Sequence, residues 1–436
     1  MTRKILTLPN WADFTESTIK LKLITIFFLG FSSGLPFLLL LSTLSVWLAE
    51  SGVTKTKIGL FAWITISYTG KFLFAPIIDS MKIPFLFQYL GQRRSWMLLS
   101  QVLLAVSLLL LGHTDPSKNI LLTVVAAFIV GFFSAIQDIV IEAYRIEILD
   151  KSKIGIGASI AVLGYRLGML FSGAGAIYIS AYFHSWTISY NVMAFCMLVG
   201  ILTTLLATEP DYMYAHDKYT ASDKWFFSII VRPLKYLTIN NQWKTIIIFI
   251  LFYKFADTVL NVMSIPFLLE MGFSKVEIAH VAKTFGMVAM LCGGIIGGIY
   301  LGYNCLWRLL VLSTILQFLA ACLFVEQAYV GYNLPLLFVT MGIENFTCGL
   351  AQVALMAYFS RLCSRPYTAV HYAILTSFAS FVRVSFSMLA GWLADCFIWE
   401  NFYSIVCLSC IFSMVILHCC NKHFSLYKED ASYSMS

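Results

Sequence analysis

Nine ionisable side chains interrupt the long apolar stretches of this 436-residue chain: Lys71, Asp138, Glu142, Arg166, Lys254, Asp257, Lys283, Glu344 and Arg383. A charge inside an apolar segment is costly, so residues of this kind face a wet interior and mark binding or proton relay. Two chemistries are open to them. A guanidinium offers parallel N–H donors that match carboxylates and phosphates, which makes Arg166 and Arg383 candidate anion ligands, with Lys254 and Lys71 as point charges beside them. A buried carboxyl changes protonation with its surroundings, which makes Asp138, Glu344 and Asp257 candidate proton carriers. Asp138, Glu142 and Arg145 fall at i, i+4 and i+7 on one helix face. Lys254, Asp257 and Asn261 share a second face, and Glu344, Cys348 and Gln352 a third. Tyr165 and Tyr253 adjoin these charges, as Tyr68 does within a turn, and their rings suit the faces of sugars. Lys254–Asp257 also reads as a neutralising structural pair, and Lys283 is close enough to a helix start to snorkel outward. Asp79, Arg93, Arg94, Glu142 and Arg145 cluster at span ends, where ion pairing makes a cytoplasmic gate.

The elements that position these residues are membrane helices. Hydrophobic residues make up 60% of the chain and charged residues 12%, with aromatic residues at 16%. A soluble domain carries about twice that share of charge. Soluble enzymes, nucleic-acid-binding modules and disordered scaffolds are excluded, and the net charge of +7 is read as basic loops facing anionic lipid. A crossing helix needs about 20 mostly apolar residues. Twelve such segments occur: Lys22–Leu48, Ile58–Ile78, Trp96–Leu111, Ile120–Tyr144, Ile154–Tyr182, Trp186–Ala207, Trp243–Leu269, Ile278–Leu301, Leu306–Val325, Leu334–Phe359, Ala369–Ala394 and Phe402–Leu417. They are long and continuous, which predicts helices rather than barrel strands.

Twenty lysines and arginines flank these spans on the side that includes both termini, against Lys55, Lys57, Lys118 and Lys275 on the other. Both termini are therefore expected in the cytoplasm. The polar segment 208–242 divides the chain into a six-helix bundle over 1–207, a second over 243–420 and a tail over 421–436. The halves repeat. Glu50-Ser-Gly-Val-Thr-Lys-Thr-Lys-Ile58 aligns with Glu270-Met-Gly-Phe-Ser-Lys-Val-Glu-Ile278, Ala143-Tyr144 with Ala357-Tyr358, and Arg166 with Arg383. Two parallel six-helix halves predict the all-α major facilitator layout. In that layout helices 3, 6, 9 and 12 face lipid, and they are the ones without embedded lysine, arginine or acid.

The remaining motifs read as structure. The eleven cysteines lie mostly in apolar segments, and Cys407 and Cys410 are small buried hydrophobes rather than a redox pair. His418, Cys419, Cys420 and His423 are helix-end residues, so no metal or cofactor is called for. Gly293-Gly-Ile-Ile-Gly-Gly298 predicts close helix packing, and Asn345-Phe-Thr347 is a chance glycosylation match inside a helix. The N-terminal residues do not read as a cleavable signal.

Five embedded cations against four embedded acids point to an anionic organic solute, a glycoside or a peptide. Specific motifs extend the reading. Leu29-Gly-Phe-Ser-Ser-Gly-Leu-Pro36, Lys71-Phe-Leu-Phe-Ala-Pro-Ile-Ile-Asp79, Arg93-Arg-Ser-Trp96, Gln137-Asp-Ile-Val-Ile-Glu-Ala-Tyr-Arg145, Gly164-Tyr-Arg-Leu-Gly168, Leu251-Phe-Tyr-Lys-Phe-Ala-Asp257, Glu344-Asn-Phe-Thr347 and Ala390-Gly-Trp-Leu-Ala-Asp395 run in collinear order. Together they resemble the AmpG muropeptide permeases. The resemblance implies a multi-pass bacterial inner-membrane permease that imports N-acetylglucosaminyl-anhydro-N-acetylmuramyl peptides with protons. In some bacteria the level of these products controls β-lactamase induction. Acetyl-CoA carriers share part of the pattern and form the alternative, ahead of a polytopic enzyme or a non-transporting receptor. The implied partners are the solute, protons and lipid, without nucleic acid.

A point charge cannot make the two parallel bonds of a guanidinium. Arg166→Lys and Arg383→Lys are each expected to lose most transport in a vesicle uptake assay, whereas unchanged KM and rate in both would mark the two arginines as structural.

Overall fold

The computed structural model describes residues 17–53, 66–150, 153–210, 243–303, 306–363 and 367–429. Within them the chain forms twelve helical stretches. Helix α1 runs Ser17–Leu38, passes through a π turn at Leu39–Thr43 and continues as Leu44–Glu50. Helix α2 is broken: Ile66–Thr69, a 3₁₀ turn Gly70–Leu73, then Ala75–Ser80. Then follow α3 (Leu86–Gly112), α4 (Ile120–Ile148), α5 (Ile154–Leu170, a π turn Phe171–Gly175, Ala176–Phe183) and α6 (Trp186–Cys196 with Leu198–Leu206). The second half holds α7 (Trp243–Glu270), α8 (Lys275–Ile278, a π turn Ala279–Phe285, Gly286–Tyr303), α9 (Leu306–Val330), α10 (Leu334–Leu362), α11 (Thr368–Cys396) and α12 (Trp399–Glu429). Eleven of these are long and apolar enough to cross a membrane. The second expected span, 58–78, lies partly outside the described residues.

Several helices outrun their apolar cores. Helix α3 begins ten residues before the expected Trp96, with a break at Gly91, and α12 continues to Glu429, past the expected Leu417. Hydropathy marks the part that needs lipid, whereas helix ends are set by how the terminal N–H and C=O groups are satisfied.

Contacts divide the chain into two units, Met1–Pro233 with Leu362–Ser377 and Leu234–Arg361 with Phe378–Ser436. The first turns of α11 therefore group with the first unit.

The internal repeat goes further in the structure than in the sequence motifs. Helix α1 ends in a Schellman turn, Val53 N–H to Leu48 O at 3.0 Å and Gly52 N–H to Ala49 O at 3.1 Å; α7 ends identically, Phe273 to Leu268 at 3.1 Å and Gly272 to Leu269 at 3.2 Å. Gly52 and Gly272 sit at φ +74° and +87°, where a side chain is strained. The Trp186 indole N–H donates to Glu50 at 2.7 Å, and that of Trp399 to Glu270 at 2.5 Å. Tyr190 and Tyr403, four residues on, pack against Trp47 and Phe267 with ring centroids 5.2 and 5.0 Å apart.

Small residues set the closest packing. A Cβ on Gly30 would lie 2.6 Å from the Ala161 carbonyl oxygen, and Gly34, Gly164 and Gly168 meet the carbonyls of Tyr165, Phe27 and Phe31 more closely still. Helices α1 and α5 thus touch backbone to backbone. In the second unit Gly293 and Gly349 do the same between α8 and α10, against Phe346 and Met290. This agrees with the packing reading of the doubled glycine spacing.

Overpacking a tight contact costs about 1–3 kcal/mol. Gly164→Ala is expected to lower the detergent-solubilised melting temperature clearly, while Gly391→Ala, where an added Cβ meets nothing within 4 Å, leaves it nearly unchanged.

Candidate functional site

In the first unit three helices converge on Asp138. The Ser33 hydroxyl of α1 donates to its Oδ1 in a short hydrogen bond. Lys71, in the 3₁₀ turn of α2, and Glu142, one turn along α4, both act electrostatically on it. The Tyr68 hydroxyl donates to Ser134 Oγ at 2.7 Å. The Phe37 ring stands edge-on to Tyr68 at 5.7 Å and tilted to Tyr165 at 6.3 Å. Of the residues expected from the sequence, this group assembles Lys71, Asp138 and Tyr165. It adds Ser33 and Phe37, which sequence reasoning missed because a serine in an apolar helix has no distinctive spacing. Arg166 is half-buried beside Tyr165 and has interactions of its own. A carboxyl with a hydroxyl donor and a nearby ammonium can exchange a proton, and the ammonium can pass to an anion.

The second unit holds a different arrangement. Lys254 Nζ lies 2.7 Å from Asp257 Oδ2, a pair within one helix. Glu344 is 5% exposed and acts electrostatically on Tyr403. Gln352 is half-buried and Arg383 exposed. Tyr253 is packed between helices. It is 1% exposed, and its hydroxyl reaches Ser313 Oγ at 2.8 Å and the Ala351 carbonyl at 3.3 Å. One residue of helical rotation from Lys254 turns it toward α9 and α10, where it packs. The side chain of Lys283 lies outside the described residues.

At the α2–α3 end of the first unit the expected ion cluster has a different membership. Arg93, 1% exposed, grips Glu147 with two bonds, Nε at 2.8 Å and Nη2 at 2.6 Å, and reaches Asp79 through Nη2 at 2.7 Å. The other Asp79 oxygen accepts from the Val370 N–H in the first turn of α11 at 3.0 Å. Arg145 and Glu142 pair at 2.7 Å, with the guanidinium 5.7 Å from the Tyr372 ring. The Arg94 guanidinium is directed elsewhere: it donates to the carbonyls of Thr204 and Leu205 at 3.0 and 2.6 Å. Glu147 was not foreseen because it lies beyond the apolar span of α4. The signal that could have found it is charge balance, since a buried fork-shaped cation calls for a carboxylate with both oxygens free. Cys363, just past α10, stands among these charges, and burial pushes its thiol well above the usual range against the opposing pull of Arg145.

Residues 26–329 match the family described as the Major Facilitator Superfamily. A Rickettsia conorii protein designated by name as the transporter AmpG 4 is 31% identical over 397 residues, covering 91% of this chain and 95% of its own. Rickettsia prowazekii AmpG 3, likewise designated a transporter, is 34% identical over 404 residues, covering 91% and 94%. The chain belongs to the AmpG-type permeases of the major facilitator superfamily. It is a multi-pass membrane transporter. Solved structures with the same fold include the facilitator FucP in its outward conformation (TM-score 0.67, 16% identity, 93% of this chain and 98% of that one) and the human organic anion transporter MFSD10 (TM-score 0.69, 13% identity, 91% and 99%).

Removing one partner of a buried ion pair leaves a charge uncompensated and costs on the order of 3–5 kcal/mol. In this permease Glu147→Gln is expected to lower thermal stability in detergent more than Asp115→Asn, which breaks the exposed pair with Lys118.

Proposed function

We propose that this permease imports N-acetylglucosaminyl-anhydro-N-acetylmuramyl peptides, the fragments released by cell-wall turnover, across a bacterial inner membrane by proton-coupled alternating access. The observation that carries the reading is the likeness to AmpG transporters along 91% of the chain. The chemistry of the solute agrees with the residues. Its peptide carboxylates suit Arg166, Arg383 and Lys71, and its sugar faces suit the rings of Tyr68 and Tyr165.

Asp138 is the proposed proton site. Lys71 and the Ser33 hydroxyl stand beside it. A solute anion that draws Lys71 away removes a cation from beside the acid, which couples the binding of solute to that of a proton. Asp257 is paired with Lys254 of its own helix at 2.7 Å, and Glu344 is the second candidate. With both termini assigned to the cytoplasm by the distribution of lysine and arginine, the Asp79–Arg93–Glu147 and Glu142–Arg145 pairs are the cytoplasmic gate. It is closed while the transporter is open outward and breaks for release.

Proteoliposomes loaded at neutral pH and placed in acidic medium are expected to accumulate labelled anhydromuropeptide, and to stop accumulating it when the pH gradient is collapsed. Asp138→Asn is expected to abolish accumulation while sparing downhill exchange. Uptake of acetyl-CoA in place of muropeptide overturns the substrate, and accumulation that persists in Asp138→Asn overturns the proton site.

A further inference from the structure

The guanidinium of Arg93 is aimed by the start of α3, and what holds that start comes from the far end of the first unit's sequence. Helix α3 breaks at Gly91, whose φ of +82° and ψ of −170° are not helical, so the continuous helix begins at Gln92. Its first N–H groups have no partner within the helix. Glu209, just beyond α6, takes two of them: Oε1 accepts from Arg93 N–H at 2.7 Å and Oε2 from Arg94 N–H at 3.1 Å. Arg94 returns the arrangement by capping the last carbonyls of α6 at Thr204 and Leu205. An anion thus sits at one helix N-terminus and a cation at the neighbouring C-terminus, each against the favourable end of a helix dipole. The residue before Glu209 is tied to the third element of the cluster, since the Tyr144 hydroxyl of α4 donates to the Thr208 carbonyl at 3.0 Å. The approach is close: a Cβ on Gly91 would fall 2.5 Å from the Glu209 side chain. Burial raises the carboxyl of Glu209 above the usual range, and the two backbone N–H groups pull it back.

We infer that Glu209 is a positioning residue of the gate: by clamping the backbone of Arg93 and Arg94 it fixes the direction in which Arg93 reaches Asp79 and Glu147. It touches none of the paired side chains except through that backbone. The inference rests on the reading of the Asp79–Arg93–Glu147 cluster as a gate. Glu209 is also the point at which the chain leaves α6 for the polar segment between the halves. The clamp therefore joins the root of that segment to the closed state.

Native cysteines report the outcome. Cys363 stands among the gate charges, and Cys410 is fully buried in the second unit. The full-length protein in membranes is treated with N-ethylmaleimide, and labelling at each cysteine is followed by peptide-resolved mass spectrometry. Loosening the gate raises labelling of Cys363 alone, whereas general unfolding raises Cys410 with it. Glu209→Ala is expected to raise the ratio of Cys363 to Cys410 labelling roughly fivefold, the shift that follows from loss of a helix cap. Glu209→Gln, which keeps one acceptor oxygen, is expected to raise it less. Gly91→Ala, which displaces Glu209 without altering its charge, is expected to match Glu209→Ala. Asp79→Asn serves as the reference for the gate itself. A ratio that rises in Asp79→Asn but stays at the wild-type value in Glu209→Ala and Gly91→Ala overturns the inference and leaves the gate standing. A ratio unmoved in all of them overturns the gate reading, and the inference with it. Equal rises at both cysteines show a structural role only and also overturn it.

Discussion

One guanidinium, that of Arg93, must stay charged where water does not reach it, and much of the first unit is arranged around that requirement. Taking such an ion out of water costs several kcal/mol unless its partners are close and well directed. Glu147 supplies a two-pronged partner and Asp79 a second acceptor. The residues on either side are then committed to backbone groups. Gln92 donates to the carbonyls of Ile78 and Met81 at the end of α2, and Arg94 caps α6. Counted with the neighbouring Glu142–Arg145 pair, the cluster holds three carboxylates and two guanidinium groups. The surplus negative charge is met at Asp79 by the N-terminal turn of α11, where the helix dipole is positive.

The two units treat their embedded acids differently. Asp138 depends on three helices: its own, α1 through Ser33, and α2 through Lys71. A shift of any one changes its surroundings, which suits the proton site proposed there. Asp257 depends on Lys254 in its own helix, so the pair travels together and the acid's surroundings are preserved. The break in α2 at Gly70–Leu73 sharpens the contrast, because it places Lys71 on a turn that is not locked into a continuous α-helical ladder.

The repeat is close at the helix ends and diverges within. Both halves close the turn after their first helix with a positive-φ glycine and bind its glutamate to an indole. Yet the Tyr190 hydroxyl donates to the Leu39 carbonyl in the π turn of α1, whereas the matching Tyr403 hydroxyl has no such partner among the described residues. The cause is local: α1 carries a π turn shortly after Pro36, which already lacks an N–H for the ladder, and α7 runs unbroken at the corresponding level. Backbone-to-backbone packing likewise falls on α1 and α5 in one unit and on α8 and α10 in the other.

The sequence by itself determined the membrane helices, the duplication and the family. Those depend on properties summed along the chain: apolar length against bilayer thickness, and collinear motifs such as Gln137 to Arg145. It also marked which helices carry charge. Only the tertiary structure decided which charges meet. Glu147 and Glu209 lie past the ends of apolar runs, so hydropathy passes over them, and their partners are more than 50 residues away. Arg93 and Arg94 are adjacent and chemically identical, yet one forms an ion cluster and the other caps a helix, because successive residues on a helix point about 100° apart and meet different neighbours. Tyr253 stood beside a charge in the sequence, and the same rotation buried it between helices. Spacing along one helix is a local quantity that the sequence contains, whereas contact between helices follows from packing the whole unit.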